Sequence, residues 1–117
     1  AVERVEDIFG RVLWTRPPSS VAQVMDPQDA FLMTALLRGV VDEGTGRGVR
    51  SAGIRGPVAG KTGTTNDGAD VWFVGYTPSL VATVWFGADD PAPLGDNASG
   101  GRFAAPTWAR FVRDGWH

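Results

Sequence analysis

The sequence has no cysteine, one lysine and one histidine in 117 residues. Without cysteine, the chain can form neither disulfides nor thiolate metal sites. The single histidine is the last residue, His117, so an imidazole metal cluster or a Ser–His–Asp triad cannot be assembled. No apolar run approaches the roughly 20 residues that a membrane-spanning helix needs. We therefore expect no metal site, no cofactor and no spanning helix in this chain.

Apolar and aromatic residues, in contrast, are plentiful. Hydrophobic residues make up 43% of the chain, with five Trp and six Phe, which is enough to build the core of one domain. The net charge of −2 gives no basic field to attract nucleic acid or anionic lipid, so we expect neither as a direct partner. Ten of the eleven basic residues are arginine and the eleventh is Lys61, which excludes any mechanism that needs a second lysine from this chain.

The first part of the chain predicts a hairpin. Residues 2–14 (VERVEDIFGRVLW) alternate loosely around a turn at Phe9-Gly10. Residues 15–23 contain Pro17-Pro18-Ser19-Ser20, which cannot continue a strand and predicts a connector. We take residues 1–23 as hairpin and connector, and residues 24–117 as the main body of one domain.

A helix follows the connector. Asp26 is a suitable N-cap, Pro27 suits the first helical position, and Gly44 can end the helix. Residues 30–37 are apolar nearly all round, which favours a helix that is buried on most of its faces. Gly39 inside the helix costs up to about 1 kcal/mol relative to alanine, so we expect a close packing partner there.

The rest of the chain predicts strands and a closing helix. A glycine-rich loop covers 44–56, a short strand 58–64, and a tight antiparallel pair 71–77 and 80–87. Apolar residues fall on both faces of that pair, so we expect both faces to be covered. After a loop over 89–101, Pro106 begins a helix with Trp108, Phe111 and Val112 facing inward. The order predicts an α+β fold, with helices packed on an antiparallel sheet.

The sole lysine lies in GPVAGKTGTT (56–65), which has two interpretations. A phosphate-binding loop needs a glycine at position 55, where the chain has Arg55, and a helix after the lysine, where TGTTNDG is a poor helix start. We reject that interpretation. In the second, Lys61-Thr62-Gly63-Thr64 is a strand on the rim of a cleft, and its ammonium, hydroxyls and open backbone suit a peptide carboxylate. The Thr64 N–H can also stabilise an oxyanion.

The K-T-G motif and its surroundings resemble a known family. AGKTGTTND, followed by DVWFVGYTPSLVATVWFG, is similar to the C-terminal part of the transpeptidase domain of class A, bifunctional penicillin-binding proteins. The resemblance extends to DPQDAFLMTALLRGVVDEGTG before the motif and to GGRFAAPTWARFV after it, covering about residues 24–114 and, more loosely, the hairpin at 3–14. It implies a partial β-lactamase/transpeptidase-like fold, the C-terminal half of one domain.

The resemblance also implies roles for individual residues. Lys61 would hold the substrate carboxylate and tune proton transfer, while Thr62 and Thr64 would bind the carboxylate of a D-Ala-D-Ala stem peptide or a β-lactam. The Thr64 N–H would form half of an oxyanion hole, and Gly63 would keep the strand open. Further residues would be structural: the core aromatics Trp72, Phe73, Trp85 and Phe86, and the turn Gly44-Thr45-Gly46.

The chain departs from the family pattern in one respect. No serine is followed three places later by lysine, and no Ser-x-Asn occurs. We therefore expect the nucleophile to lie in a missing N-terminal half of the same domain, and the isolated chain to be inactive and marginally stable or self-associating. An extracytoplasmic location is implied, with membrane contact only through an anchor outside this chain. Two alternatives are a non-catalytic module for peptide carboxylates or β-lactams, and a structural domain without a site.

Overall fold

A computed structural model describes residues 2–17, 23–90 and 92–115. In chain order the elements are β1 (Arg4–Glu6), β2 (Val12–Thr15), α1 (Pro27–Asp42), α2 (Gly48–Ser51), β3 (Ala59–Thr64), β4 (Val71–Tyr76), β5 (Val81–Phe86) and α3 (Ala105–Gly115). A π-helical turn over Gly100–Ala104 leads into α3. The predicted α+β class is confirmed. Much of the predicted connector, including Pro18, Ser19 and Ser20, lies outside the described residues, as does His117.

The predicted N-terminal hairpin is confirmed. β1 and β2 pair antiparallel, with Val5 opposite Trp14. The Asp7 carbonyl accepts the Gly10 N–H at 3.0 Å, and Gly10 has a φ of +80°, which glycine adopts without strain. The Asp7 carboxylate accepts the N–H of Arg11, and this hydrogen bond is the main reason that the pKa of Asp7 is lowered. The turn is thus ordered locally, although every residue of β1 and β2 is exposed.

Helix α1 begins as predicted but is much less buried than predicted. The Asp26 carboxylate accepts the Gln28 N–H at 2.8 Å, which confirms the N-cap. Phe31 is 72% exposed, and Leu32, Met33 and Leu36 are also exposed, so the prediction of burial on most faces is wrong. No atom lies within 4 Å of a Cβ placed on Gly39, so the predicted packing partner is absent from the described residues. The reason is that α1 packs along β3 through one narrow stripe, in which Val41 is buried and Ala30, Thr34 and Leu37 are half-buried.

The main sheet has the order β3-β4-β5, with both pairs antiparallel. Its two faces follow from the register and the alternation of side chains along a strand. We call the face of Thr62, Thr64, Phe73, Gly75 and Val84 the closed face, and the face of Lys61, Gly63, Trp72, Val74 and Trp85 the open face. The turns predicted at 66–68 and 78–79 both join these strands, and Gly68 has the positive φ of +67° that its turn requires.

The closed face holds the core. Trp108 of α3 is fully buried and meets Phe73 edge to face, with ring centroids 5.5 Å apart. The Trp108 indole N–H donates to the Ala82 carbonyl at 3.0 Å, so the buried polar atom is satisfied. Trp108 and Val112 face inward as predicted, but Phe111 is 48% exposed, and Ala109 is buried instead. Helix α3 starts one residue before Pro106, because the π-helical turn feeds directly into it.

The open face is largely uncovered. Trp72 and Trp85 are 42% and 46% exposed, and their rings are 5.8 Å apart on neighbouring strands. The prediction that both faces are covered is therefore wrong for this chain, as is the assignment of Trp72, Trp85 and the partly exposed Phe86 to the core; Phe73 alone is fully buried. The described elements supply one helical layer, to which Val41 of α1 contributes, and on the open side α1 reaches the end of the sheet where β3 begins, with the Thr34 and Tyr76 hydroxyls 3.0 Å apart. Across 2–17, 23–90 and 92–115, no helix combines the length and apolarity that crossing a bilayer requires.

Candidate substrate-binding site

Strand β3 forms one edge of the main sheet. It pairs with β4 only, so its other edge is unpaired within the described part of the chain. Just beyond the strand, the Thr65 N–H donates to the Asp70 carbonyl at 3.0 Å, in register with the ladder. Because N–H groups alternate sides along a strand, those of Thr62 and Thr64 point away from β4. Two backbone donors are thereby aimed at the free edge.

Lys61 lies in the middle of β3 on the open face. Its side chain is exposed, and the ammonium donates to the Thr62 carbonyl at 2.8 Å and lies 3.5 Å from the Thr62 hydroxyl. No carboxylate among the described residues forms an ion pair with it. The positive charge of Lys61 is consequently available to an incoming anion.

The Thr62 and Thr64 side chains lie on the closed face. The Thr62 hydroxyl is 2.7 Å from the Thr45 hydroxyl, and the Thr64 hydroxyl accepts the Gly100 N–H at 3.0 Å. The Thr62 hydroxyl also lies 3.5 Å from the Lys61 ammonium, and both threonine hydroxyls keep further hydrogen-bonding capacity. Lys61 and the two threonines approach the free edge from opposite faces of the sheet.

A cavity of about 620 Å³ opens beside these hydroxyls, and we call it the threonine cavity. Its walls come from the end of α1 with the following turn, from α2, from β3 and from the segment that leads into α3. The lining residues are Asp42, Gly44, Thr45, Arg47, Gly48, Arg50, Ser51, Thr62, Thr64, Ser99, Gly101 and Arg102. Lys61 and Gly63 do not line it. The cavity is polar and contains more positive than negative side chains.

Glycines let the segment before α3 lie directly against β3. A Cβ on Gly100 would collide with the Trp72 carbonyl, and a Cβ on Gly101 with the Thr45 carbonyl. At Gly63 the situation is milder, since a Cβ there would lie 3.2 Å from the Trp72 Cβ. The bare backbone at Gly100 and Gly101 is thus what brings one wall of the cavity to Thr64.

The structure places the four predicted site residues on one strand but divides them between two faces. Sequence reasoning missed Thr45, which it took as part of a structural turn and which holds the Thr62 hydroxyl. It also missed the wall formed by Ser99, Gly101 and Arg102. The only signals for these residues were the glycine pairs in GTG and GGR, and such pairs indicate close backbone approach without saying to what.

Comparisons with known proteins bear on the whole chain. Residues 1–112 match the family model for the penicillin binding protein transpeptidase domain. Penicillin-binding protein 1A of Neisseria lactamica is 38% identical over 116 residues, which cover 96% of this chain and 14% of that protein. The Pseudomonas aeruginosa protein of the same name is 39% identical over 108 residues, covering 92% of this chain and 13% of that protein.

A solved structure agrees in fold. Penicillin-binding protein 1A from Haemophilus influenzae superposes with a TM-score of 0.73 at 22% identity, covering 96% of this chain and 22% of that one. This chain thus spans about one-seventh of the length of the curated relatives. The predicted resemblance to the transpeptidase domain of penicillin-binding proteins is confirmed, and the chain belongs to the penicillin-binding protein transpeptidase domain family.

Proposed function

We propose that this chain supplies the carboxylate-binding strand of a serine D,D-transpeptidase that cross-links peptidoglycan stem peptides and is acylated by β-lactams. The observation that carries the proposal is the free edge of β3, where outward-facing N–H groups of Thr62 and Thr64 lie between an unpaired ammonium and two hydroxyls. Membership in the transpeptidase family supports it.

Each site residue has a role in this proposal. An extended peptide that ends in D-Ala-D-Ala adds alongside β3 and pairs with its outward backbone groups. The terminal carboxylate accepts hydrogen bonds from Lys61, Thr62 and Thr64, since the Lys61 ammonium lies only 3.5 Å from the Thr62 hydroxyl. Gly63 has no side chain to obstruct the peptide.

The chemistry is acyl transfer to a serine supplied by another part of the transpeptidase domain. The serine oxygen bonds to the carbonyl carbon of the penultimate D-Ala, and the Thr64 N–H donates to the oxyanion that forms. The C–N bond then breaks and D-Ala leaves as a protonated amine. The amine of a neighbouring stem peptide attacks the serine ester and releases the serine. With a β-lactam, the ring C–N bond opens and the ester persists.

Location and partners follow from the same proposal. The reaction takes place outside the cytoplasm, and the protein contacts the membrane only through an anchor outside this chain. The remainder of the transpeptidase domain is the protein partner, and it packs over the open face of the sheet and the exposed side of α1. The large apolar side chains exposed there, Phe31 and Trp72 among them, support this arrangement.

A fluorescent penicillin tests the proposal. The isolated chain should give no covalent band on a denaturing gel, because the nucleophile lies elsewhere. In a transpeptidase domain that includes this chain, Lys61→Ala should slow acylation by about a hundredfold or more, since a preorganised charge is lost. Arg55→Ala removes an exposed cation away from β3 and should leave the rate unchanged. Labelling of the isolated chain, or normal acylation of Lys61→Ala, would contradict the proposal.

A titration separates this function from that of a carboxylate-binding module. A D-Ala-D-Ala peptide is added to the isolated chain and binding is followed by calorimetry. Saturable binding at millimolar or lower concentration that disappears in Lys61→Ala favours the module. Absence of binding, with acylation restored in the larger domain, favours the transpeptidase.

A further inference from the structure

The threonine cavity contains two cations that nothing in the described structure neutralises. Arg50 is fully engaged: it forms an ion pair with Asp42 at 2.7 Å and donates to the carbonyls of Ile54 and Gly56. Arg47 and Arg102 also line the cavity, and neither forms a side-chain hydrogen bond or ion pair with a described residue. Because Asp42 is committed to Arg50, the cavity keeps a surplus of positive charge beside Thr62 and Thr64.

The two free arginines are held on adjoining stretches of backbone. A Cβ on Gly48 would lie 2.5 Å from the Gly101 carbonyl oxygen and 2.9 Å from the Pro106 ring. The segment that carries Arg47 therefore packs directly on the segment that carries Arg102. The second segment is in turn anchored to β3 by the Gly100 N–H bond to Thr64. The two guanidiniums are thus attached to a fixed frame next to the threonine hydroxyls, although their side chains are exposed.

The size and position of the cavity indicate which part of a substrate would enter it. A volume of about 620 Å³ exceeds what one carboxylate at the strand edge needs. Thr62 and Thr64 line the cavity, whereas Lys61 does not. If Lys61, Thr62 and Thr64 together hold a carboxylate at the strand edge, a group inside the cavity lies on the far side of the two threonines from Lys61. In the proposed reaction that carboxylate belongs to the leaving residue. Any further group in the cavity must then be attached to the leaving residue.

We infer that Arg47 and Arg102 form a second anion-binding subsite, which accepts an additional carboxylate on the leaving residue of the acyl donor. This inference rests on the proposed transpeptidase function. Guanidinium groups suit the task because they bind carboxylates through paired N–H donors. The subsite confers a preference for donors whose leaving group carries two carboxylates over donors whose leaving group carries one.

Matched thioester donors test the subsite in a transpeptidase domain that includes this chain. One donor is an N-acyl-D-alanyl thioester of thiolactate, with one carboxylate on the leaving group, and the other is the corresponding mercaptosuccinate thioester, with two. The serine oxygen bonds to the thioester carbonyl carbon and loses its proton, the C–S bond breaks, and the thiolate leaves and is measured; water then hydrolyses the serine ester and frees the serine. We expect kcat/KM to favour the mercaptosuccinate donor by about fivefold at low salt, because each exposed charge contact contributes modestly. The preference should fall as salt is added.

Arginine variants show which residues cause the preference for the mercaptosuccinate donor. Arg47→Gln and Arg102→Gln should each reduce it, and the double variant should remove it while kcat/KM for the thiolactate donor changes less than about twofold. Arg102→Lys should keep part of it. Arg55→Gln is the matched control, because it removes an exposed arginine that does not line the cavity. A mercaptosuccinate donor with its second carboxylate methylated should behave as the thiolactate donor does.

The outcomes separate failure of the inference from failure of the proposed function. If the wild-type domain turns over neither thioester and is not acylated by penicillin, the transpeptidase proposal fails and the inference falls with it. If both donors react equally well in the wild type, the transpeptidase proposal stands and the second subsite is overturned. The subsite is also overturned if the arginine variants slow both donors by the same factor with unchanged thermal stability.

Discussion

The two faces of the β3-β4-β5 sheet are built from the same strands but differ in what covers them. On the closed face, Phe73 and Trp108 are fully buried in contact with each other. On the open face, Trp72 and Trp85 remain nearly half exposed. Residue type does not distinguish the faces, since both carry large apolar side chains. The difference lies in which elements are present to pack against each face, and α3 with α2 serves only the closed one.

The candidate site lies where the two faces meet, at the edge of β3. Lys61 approaches this edge from the open face, and Thr62 and Thr64 approach it from the closed face. The closed face fixes the hydroxyls through Thr45 and Gly100. Lys61 has only its own strand to bond to among the described residues. Packing within this chain therefore holds the two hydroxyls in place, whereas the Lys61 ammonium is held only by a hydrogen bond to its own strand.

The largest effect on stability is expected from truncating the core of the closed face. Trp108→Ala removes a buried indole, its contact with Phe73 and its bond to the Ala82 carbonyl, and should lower the free energy of unfolding by about 3–5 kcal/mol. Trp72→Ala on the open face should cost no more than about 1 kcal/mol in the isolated chain, because the ring is already partly hydrated. Urea denaturation followed by far-UV circular dichroism measures both.

The same pair of variants also tests what covers the open face. In a domain that packs over this face, Trp72→Ala should become several times more costly than in the isolated chain, because the ring is then buried. Equal costs in both settings would show that the open face is a true surface. We also expect the isolated chain to be marginally stable or to associate with itself through its exposed apolar faces. A chain that stays monomeric and unfolds cooperatively on heating would contradict this expectation.

An intermediate effect is expected from adding a methyl group to glycines on the two sides of the molecule. In the closed core, a Cβ on Gly75 would lie 2.6 Å from a Phe73 ring carbon and 2.7 Å from a Trp108 ring carbon. Gly75→Ala should therefore destabilise the chain by about 1–3 kcal/mol. On α1 no atom lies within 4 Å of a Cβ on Gly39, so Gly39→Ala should stabilise the chain by up to about 1 kcal/mol through helix propensity.

Thermal melts of both alanine variants provide the measurement. The expected signs are opposite, so a general effect of mutagenesis on expression or folding cannot produce both. If Gly39→Ala destabilised the isolated chain, another part of the chain would have to pack closely against Gly39. In the larger domain the sign at Gly39 would change if another helix packs closely against that position.

Local signals in the sequence were sufficient to predict the described strands, α1 and α3, but neither α2 nor the π-helical turn over Gly100–Ala104. Asp26 as the N-cap, the turn at Asn66-Asp67-Gly68 and the strong β-formers over 71–76 each act over a few residues, and each is confirmed. Burial depends instead on what packs from far along the chain or from outside it. The apolar pattern over 30–37 identifies the apolar side chains of α1, but it does not say which of them another element buries, and most are exposed.

The candidate site was likewise predictable from the sequence only in part. The motif and its flanks were enough to place Lys61, Thr62, Gly63 and Thr64 on one strand. The threonine cavity was not predictable, because it brings together residues 42–51, 62–64 and 99–102, whose contacts depend on tertiary packing. Arg47 and Arg102 have no local signature that sets them apart from the other eight arginines. Only their position beside the threonine hydroxyls does so.

The smallest effect is expected at the turn that joins β3 to β4, next to the site strand. The Asp67 carboxylate is stabilised mainly by a hydrogen bond from the Thr65 side chain and also by the Ala69 N–H at 3.2 Å, and these bonds lower its pKa below the ordinary 3.8. A lowered pKa in the folded state means that the carboxylate stabilises the fold above pH 3.8. This contribution is lost as the pH falls through the lowered pKa.

Asp67→Asn should therefore reduce the free energy of unfolding slightly at pH 7, and the difference from the wild type should shrink as the pH is lowered below 3.8. Urea denaturation at a series of pH values measures it. Asp96→Asn removes one negative charge elsewhere and serves as the control for net charge. A difference between Asp67→Asn and the wild type that stayed constant with pH would mean that the turn responds to the exchange of a carboxyl oxygen for an amide nitrogen and not to the charge.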